Sequence, residues 1–123
     1  MIIKVCGMRE PENIRAIEQA GADWMGFIFF PQSVRHVSHR PEYLPEQCRR
    51  IGVFVNESSE NILLKAQEFG LHHIQLHGRE TPEQCRKLKA IRIDRFQCHD
   101  TITKANYLFG KCVISVGCYS FYL

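Results

Sequence analysis

Short apolar runs that close on small or polar residues recur along the first ninety residues, roughly twenty-odd residues apart, and a helix signal follows each of them. This alternation is the pattern of βα units, in which crossover helices join the strands of a parallel sheet. Residues 2–6, 24–30, 51–56 and 72–77 are the predicted strands. The second is apolar throughout, too short for a buried helix and bounded by turn residues, as expected of a strand covered on both faces. Helices are predicted over 11–20, 41–50 and 59–69 and from Thr81 onward, with a polar loop over 32–40. Pro11 suits a first helical turn and Gly21 a left-handed stop, while Ser58 or Ser59 and Gly70 bracket the third helix. Thr81-Pro82-Glu83-Gln84 supplies an N-cap, a first-turn proline and a capping-box glutamine. The helix over 41–50 accommodates Pro45 only in its first turn, since deeper in it would lose a hydrogen bond.

At 123 residues and 45% hydrophobic, the chain has the size and apolar content of one globular domain. The net charge of +3 comes from scattered basic residues without aromatic interleaving. This argues against a nucleic-acid surface and mildly favours an anionic small molecule. The amino terminus enters strand pattern directly, without a signal-peptide core, and no apolar stretch approaches membrane-spanning length, so a cytoplasmic protein is expected. The six cysteines, at 6, 48, 85, 98, 112 and 118, have no C-x-x-C spacing and read as reduced thiols. Cys48 and Cys85 fall in predicted helices as small buried hydrophobes.

Four βα units allow either an open doubly wound sheet or half of a (β/α)8 barrel. With period two, Ile3, Val5, Val53, Val55, Ile74 and Leu76 are assigned to the helix-covered face. Lys4, Cys6, Gly52, Asn56, Gln75 and His77 are left on the other, and polar groups gathered at carboxyl ends on that face fit a barrel mouth. Cys6 closes the first strand, where a thiol can do chemistry as thiolate, and Lys4 on the same face is one candidate neighbour to favour that form. Taken alone, Cys6 is equally a small residue filling a strand end, Arg35 a solvated loop arginine and His77 a hydrogen-bonded strand-end group. Only Cys6 and His77 converge among possible metal ligands, and His72 and His73 point to opposite faces, so no metal is expected. No G-x-G-x-x-G or phosphate-loop pattern supports a nucleotide.

Lys4-Val5-Cys6-Gly7, Gly21-Ala22-Asp23 with Gly26-Phe27-Ile28-Phe29, Pro31-Gln32-Ser33-Val34-Arg35, Val53-Phe54-Val55-Asn56, and Gln75-Leu76-His77-Gly78 with Glu80 follow one another in an order that resembles the phosphoribosylanthranilate isomerases. These are (β/α)8 barrels of tryptophan biosynthesis. The resemblance covers residues 2 to about 90 and implies a partial barrel of four βα units followed by a divergent tail over 91–123. It implies an Amadori rearrangement of the phosphorylated substrate N-(5-phosphoribosyl)anthranilate without cofactor. Cys6 matches the general base that takes the C2 proton, and Arg35 the arginine that pairs with the anthranilate carboxylate. Lys4, Gln75 and His77 would line the pocket.

The family's acid, an aspartate on a later strand, and its phosphate loops have no counterpart in the matched segment. A barrel of this kind needs about 200 residues. The chain therefore reads as an inactive fragment of a shortened or frame-shifted gene, with open sheet edges that favour self-association of half-barrels. In that reading the inward-facing Ile2, Ile28, Phe30 and Phe54 are left to water. A non-catalytic self-associating half-barrel and a Cys6/His77 thiol hydrolase are the alternative readings.

Overall fold

The computed structural model describes residues 2–90 and the backbone of residues 112–115. The strands are β1 (Lys4–Cys6), β2 (Trp24–Ile28), β3 (Arg49–Phe54), β4 (His73–Leu76) and β5 (Cys112–Ser115). The helices are α1 (Pro11–Gln19), α2 (Ser59–Phe69) and α3 (Pro82–Ala90). The sheet order is β1-β2-β3-β4-β5. As expected, β1 to β4 are parallel and adjacent in chain order. The last strand departs from expectation: β5 pairs antiparallel with β4, so the β4 edge is occupied. The remaining expectations for the tail, including those for Cys98 and Cys118, lie outside the described residues.

Helix ends follow local chemistry. Pro11 opens α1, and Gly21 lies just beyond its carboxyl end at φ 85°. The Ser58 hydroxyl accepts the N–H of Asn61 at 3.3 Å, and Gly70 ends α2 in the left-handed conformation. Thr81 caps α3 by accepting the Gln84 N–H at 3.2 Å. The Gln84 side chain does not serve as the capping-box partner; it donates to the carbonyl of Glu57, in the loop after β3, at 2.8 Å.

The expected helix over 41–50 does not form. Pro41 and Pro45 have no N–H to give, and the N–H groups of Glu46 and Gln47 are taken by Glu18 Oε1 of α1 at 2.7 and 2.6 Å. The Tyr43 hydroxyl donates to the same carboxylate. Burial tends to raise the Glu18 pKa, but bonds from Tyr43, Gln47, Glu46 and Cys48 outweigh it and hold the carboxyl below its usual range. The segment thus crosses irregularly between β2 and β3, seating Leu44, Pro45 and Cys48 in the interior. Cys48 is buried as expected, though outside any helix, with its thiol donating to the Ala22 carbonyl at 2.9 Å.

The three helices cover one face of the sheet. Ile14 of α1, Ile62, Ala66 and Phe69 of α2, and Cys85 and Leu88 of α3 form a continuous core with Met25, Phe27, Phe54, Ile74 and Leu76. Phe29 anchors its centre, stacked on Phe54 at 4.9 Å and edge-on to Phe69 at 4.8 Å between ring centroids. The register corrects the expected faces of β3. Gly52 lies opposite Phe27 and Ile74 on the helix side, where a Cβ would strike Leu71 and the rings of Phe54 and Phe29. Val53 lies opposite Ile28 and Gln75 on the other face. Phe54 is accordingly buried under the helices and does not face water; Ile28 is also buried, beside Ile51 and Val53. Ile2 alone of the expected exposed set is half exposed, at 51%, while Phe30 is partly covered.

Candidate active site at the carboxyl ends of the strands

The face away from the helices carries, row by row, Lys4 with Trp24, Cys6 with Gly26 and Ile51 with His73. It curls enough to bring side chains of non-adjacent strands together. Lys4 Nζ donates to Gln75 Oε1, spanning from β1 to β4. The Trp24 and His73 rings stack at 5.0 Å across β3. Burial, reinforced by His72, Arg49 and Lys4, pushes the His73 pKa down to about 4, so this ring is neutral at neutral pH. His72 turns the other way, as expected, and accepts the Arg50 N–H through Nδ1 at 3.0 Å. Burial and the adjacent Arg50 and Arg49 lower its pKa to about 4 as well.

At the carboxyl-end rim, the loop after β2 returns to pair in parallel with the end of its own strand. Val37 N–H donates to Ile28 O at 2.9 Å, and Ile28 bridges His36. This return lays Arg35 over the end of β1. Its stem covers Gly7, where an added Cβ would come within 2.7 Å of Arg35 Cδ, and its Nη1 donates to the Cys6 carbonyl at 3.4 Å. Gly7 also adopts φ 91°, a conformation that favours glycine. Cys6, half-buried, and Arg35 are therefore neighbours although distant in sequence.

Farther along the same rim, Asn56 at φ 51° and the segment after β4 are tied together. Glu80 accepts the N–H of Asn56 and that of Gly78, both at 2.8 Å, and Asn56 Oδ1 accepts the N–H of Arg79 at 2.7 Å. The period-two reading of Asn56 fails because it lies past the end of β3, in this turn. His77 is exposed at the same rim, its N–H donating to Phe54 O at 2.9 Å. The roles of Glu80 and Gly26 were not assigned from sequence; the one available signal was a glycine interrupting an apolar strand, which marks close approach of another group. Among the described residues, no group of three His, Cys, Asp or Glu side chains is placed to hold a metal ion. No described helix is long and apolar enough to cross a membrane.

Strands β1 to β4, parallel and covered by helices on one face, with Lys4 and Gln75 joined on the other face and Cys6 and Arg35 at the carboxyl end of β1, have the architecture of part of an α/β barrel. The chain belongs to the N-(5'-phosphoribosyl)anthranilate isomerase family, whose model matches residues 3–111. It is 97% identical over 90 residues to the isomerase of Phocaeicola vulgatus, covering 73% of this chain and 44% of that protein. The phosphoribosyl anthranilate isomerase structure from Thermotoga maritima superposes with a TM-score of 0.64 at 38% identity, over 72% of this chain and 46% of that one. A phosphoribosyl anthranilate isomerase in complex with reduced 1-(o-carboxyphenylamino)-1-deoxyribulose 5-phosphate gives a TM-score of 0.65 at 42% identity, over 72% and 48%. The chain spans about half the length of the curated relatives it matches.

Proposed function

We propose that residues 2–90 form the amino-terminal half of an isomerase site for N-(5'-phosphoribosyl)anthranilate. The observation that carries this reading is the packing of Arg35 against the Cys6 end of β1. In this reading Cys6 removes the C2 proton of the ring-opened iminium, and Arg35 holds the anthranilate carboxylate through its planar fork. Gln75, oriented by Lys4, and His77 line the opposite wall. The general acid and phosphate loops belong to later units of the barrel, so the 123-residue polypeptide by itself is expected to turn over poorly. The relative complexed with a reduced carboxyphenylamino-deoxyribulose phosphate supports the ligand class.

The test joins residues 1–90 to the complementary carboxyl-terminal half of the Phocaeicola vulgatus relative and follows anthranilate fluorescence during turnover. The chimaera is expected to be active. Arg35→Lys should raise KM by about 10- to 100-fold with a smaller effect on kcat, because a point charge cannot reproduce the bidentate pairing. An inactive but folded chimaera would sink the proposal.

We further propose that the 123-residue polypeptide self-associates through β1. Among the described residues β1 pairs only with β2, and Ile2 and Ile3 beside it are 51% and 47% exposed. An open parallel edge with apolar neighbours is a template for pairing. Sedimentation of this polypeptide should therefore give a dimer or larger species; a monomer at high concentration with cooperative unfolding would refute it.

A further inference from the structure

Cys6 and Gly26 are partners in the β1–β2 register and present to the same face. A Cβ built on Gly26 would fall 2.5 Å from Cys6 Sγ, 3.2 Å from its Cβ and 3.3 Å from its Cα. The thiol therefore occupies the space where any other residue at position 26 would place its side chain. The backbone around it is fixed from the same residue: Gly26 O accepts the N–H of Gly7 at 2.9 Å and that of Met8 at 3.2 Å. With the backbone immediately after Cys6 held in this way, the freedom left to its side chain is rotation about χ1, among staggered wells. Gly26 does not adopt the left-handed conformation. Its missing side chain thus answers a need for space, not for unusual backbone.

We propose that Gly26 is a positioning residue, whose notch selects the χ1 rotamer of Cys6 and so fixes where its sulfur meets the substrate carbon. This rests on the reading of Cys6 as the base. An alanine would drive the sulfur into another staggered well, moving it by more than a bond length while leaving its chemical identity unchanged. Proton abstraction depends on placement at this scale. Gly26 would then act through Cys6, without touching substrate.

The test is iodoacetamide alkylation of the 123-residue chain at one fixed pH, read at the Cys6 peptide by mass spectrometry. Peptide-level reading separates Cys6 from the other five cysteines. Gly26→Ala should release the thiol from its notch and raise the alkylation rate of Cys6 by about three- to tenfold. A Cys6 alkylation rate equal to or below that of the parent chain, with the fold retained by circular dichroism, would overturn the proposal. If Gly26→Ala does not fold, the Cys6→Ala/Gly26→Ala double variant decides: recovered folding supports a seat for the thiol, and equal failure overturns it. Because alkylation needs no turnover, its outcome is separate from the isomerase assay on which the base assignment stands or falls.

Discussion

Cys6→Ala in the chimaeric full-length enzyme is expected to lower kcat by about 10²- to 10⁴-fold, the usual contribution of a positioned proton acceptor. The KM should change little, because binding in the proposed site falls to Arg35, Gln75 and later loops. The expectation follows from the position of the side chain. Cys6 is half-buried at the carboxyl end of β1, with its carbonyl held by Arg35 and the N–H groups of the two following residues held by the Gly26 carbonyl. No nearby carboxylate among the residues described on this face is arranged to take over; Glu80 is committed to the N–H groups of Asn56 and Gly78. Steady-state turnover in the anthranilate-fluorescence assay measures the effect. Retention of more than about a tenth of the parent kcat would remove Cys6 from the role of base.

Phe69→Ala is expected to destabilise the fold by about 3–5 kcal/mol. Phe69 has no exposed surface, packs edge-on against Phe29 and lies 5.6 Å from the Phe27 ring. It therefore joins α2 to β2, and its loss opens a cavity where two elements meet. Its carbonyl accepts from Arg50 Nη1 at 2.9 Å, so the ring sits on backbone tied to β3 and has little room to collapse inward. Against a typical domain stability of about 5–15 kcal/mol, such a loss takes a large share. Urea unfolding followed by circular dichroism reads it directly; a loss below about 1 kcal/mol would mean that this junction does not hold the half-barrel together.

The elements most legible in the sequence were those whose signals are local. The stop after α1, both ends of α2 and the start of α3 rest on residues within a few positions of the ends they cap, so Gly21, Ser58, Gly70 and Thr81 could be read directly. The segment over 41–50 was misread because its decisive partner is remote. Glu18 takes the N–H groups of Glu46 and Gln47 from 28 and 29 residues away, and no local pattern announces this. In the same way Gln84 had the right identity for a capping box, yet its side chain is turned to donate to the Glu57 carbonyl, 27 residues away, and not to accept the N–H of Thr81.

The candidate site divides along the same line. The alternation of short apolar runs and capped helices pointed to the parallel order of β1 to β4, and the resemblance of the strand-end and loop motifs to the isomerases pointed to Cys6 and Arg35. Period two shows that neighbouring side chains oppose one another, but it does not say which alternate set faces the helices, and a one-residue error exchanges them all. That choice was made by the register of β3 against β2 and β4, which put Gly52 under Leu71 and the phenylalanines and turned Val53 toward Gln75. The Lys4–Gln75 bond across 71 residues, the return of Arg35 over Gly7 and the seating of the Cys6 thiol against Gly26 were likewise decided by tertiary structure. Each depends on how far the sheet curls and how closely two backbones approach, and those quantities arise only when strands distant in sequence pack together.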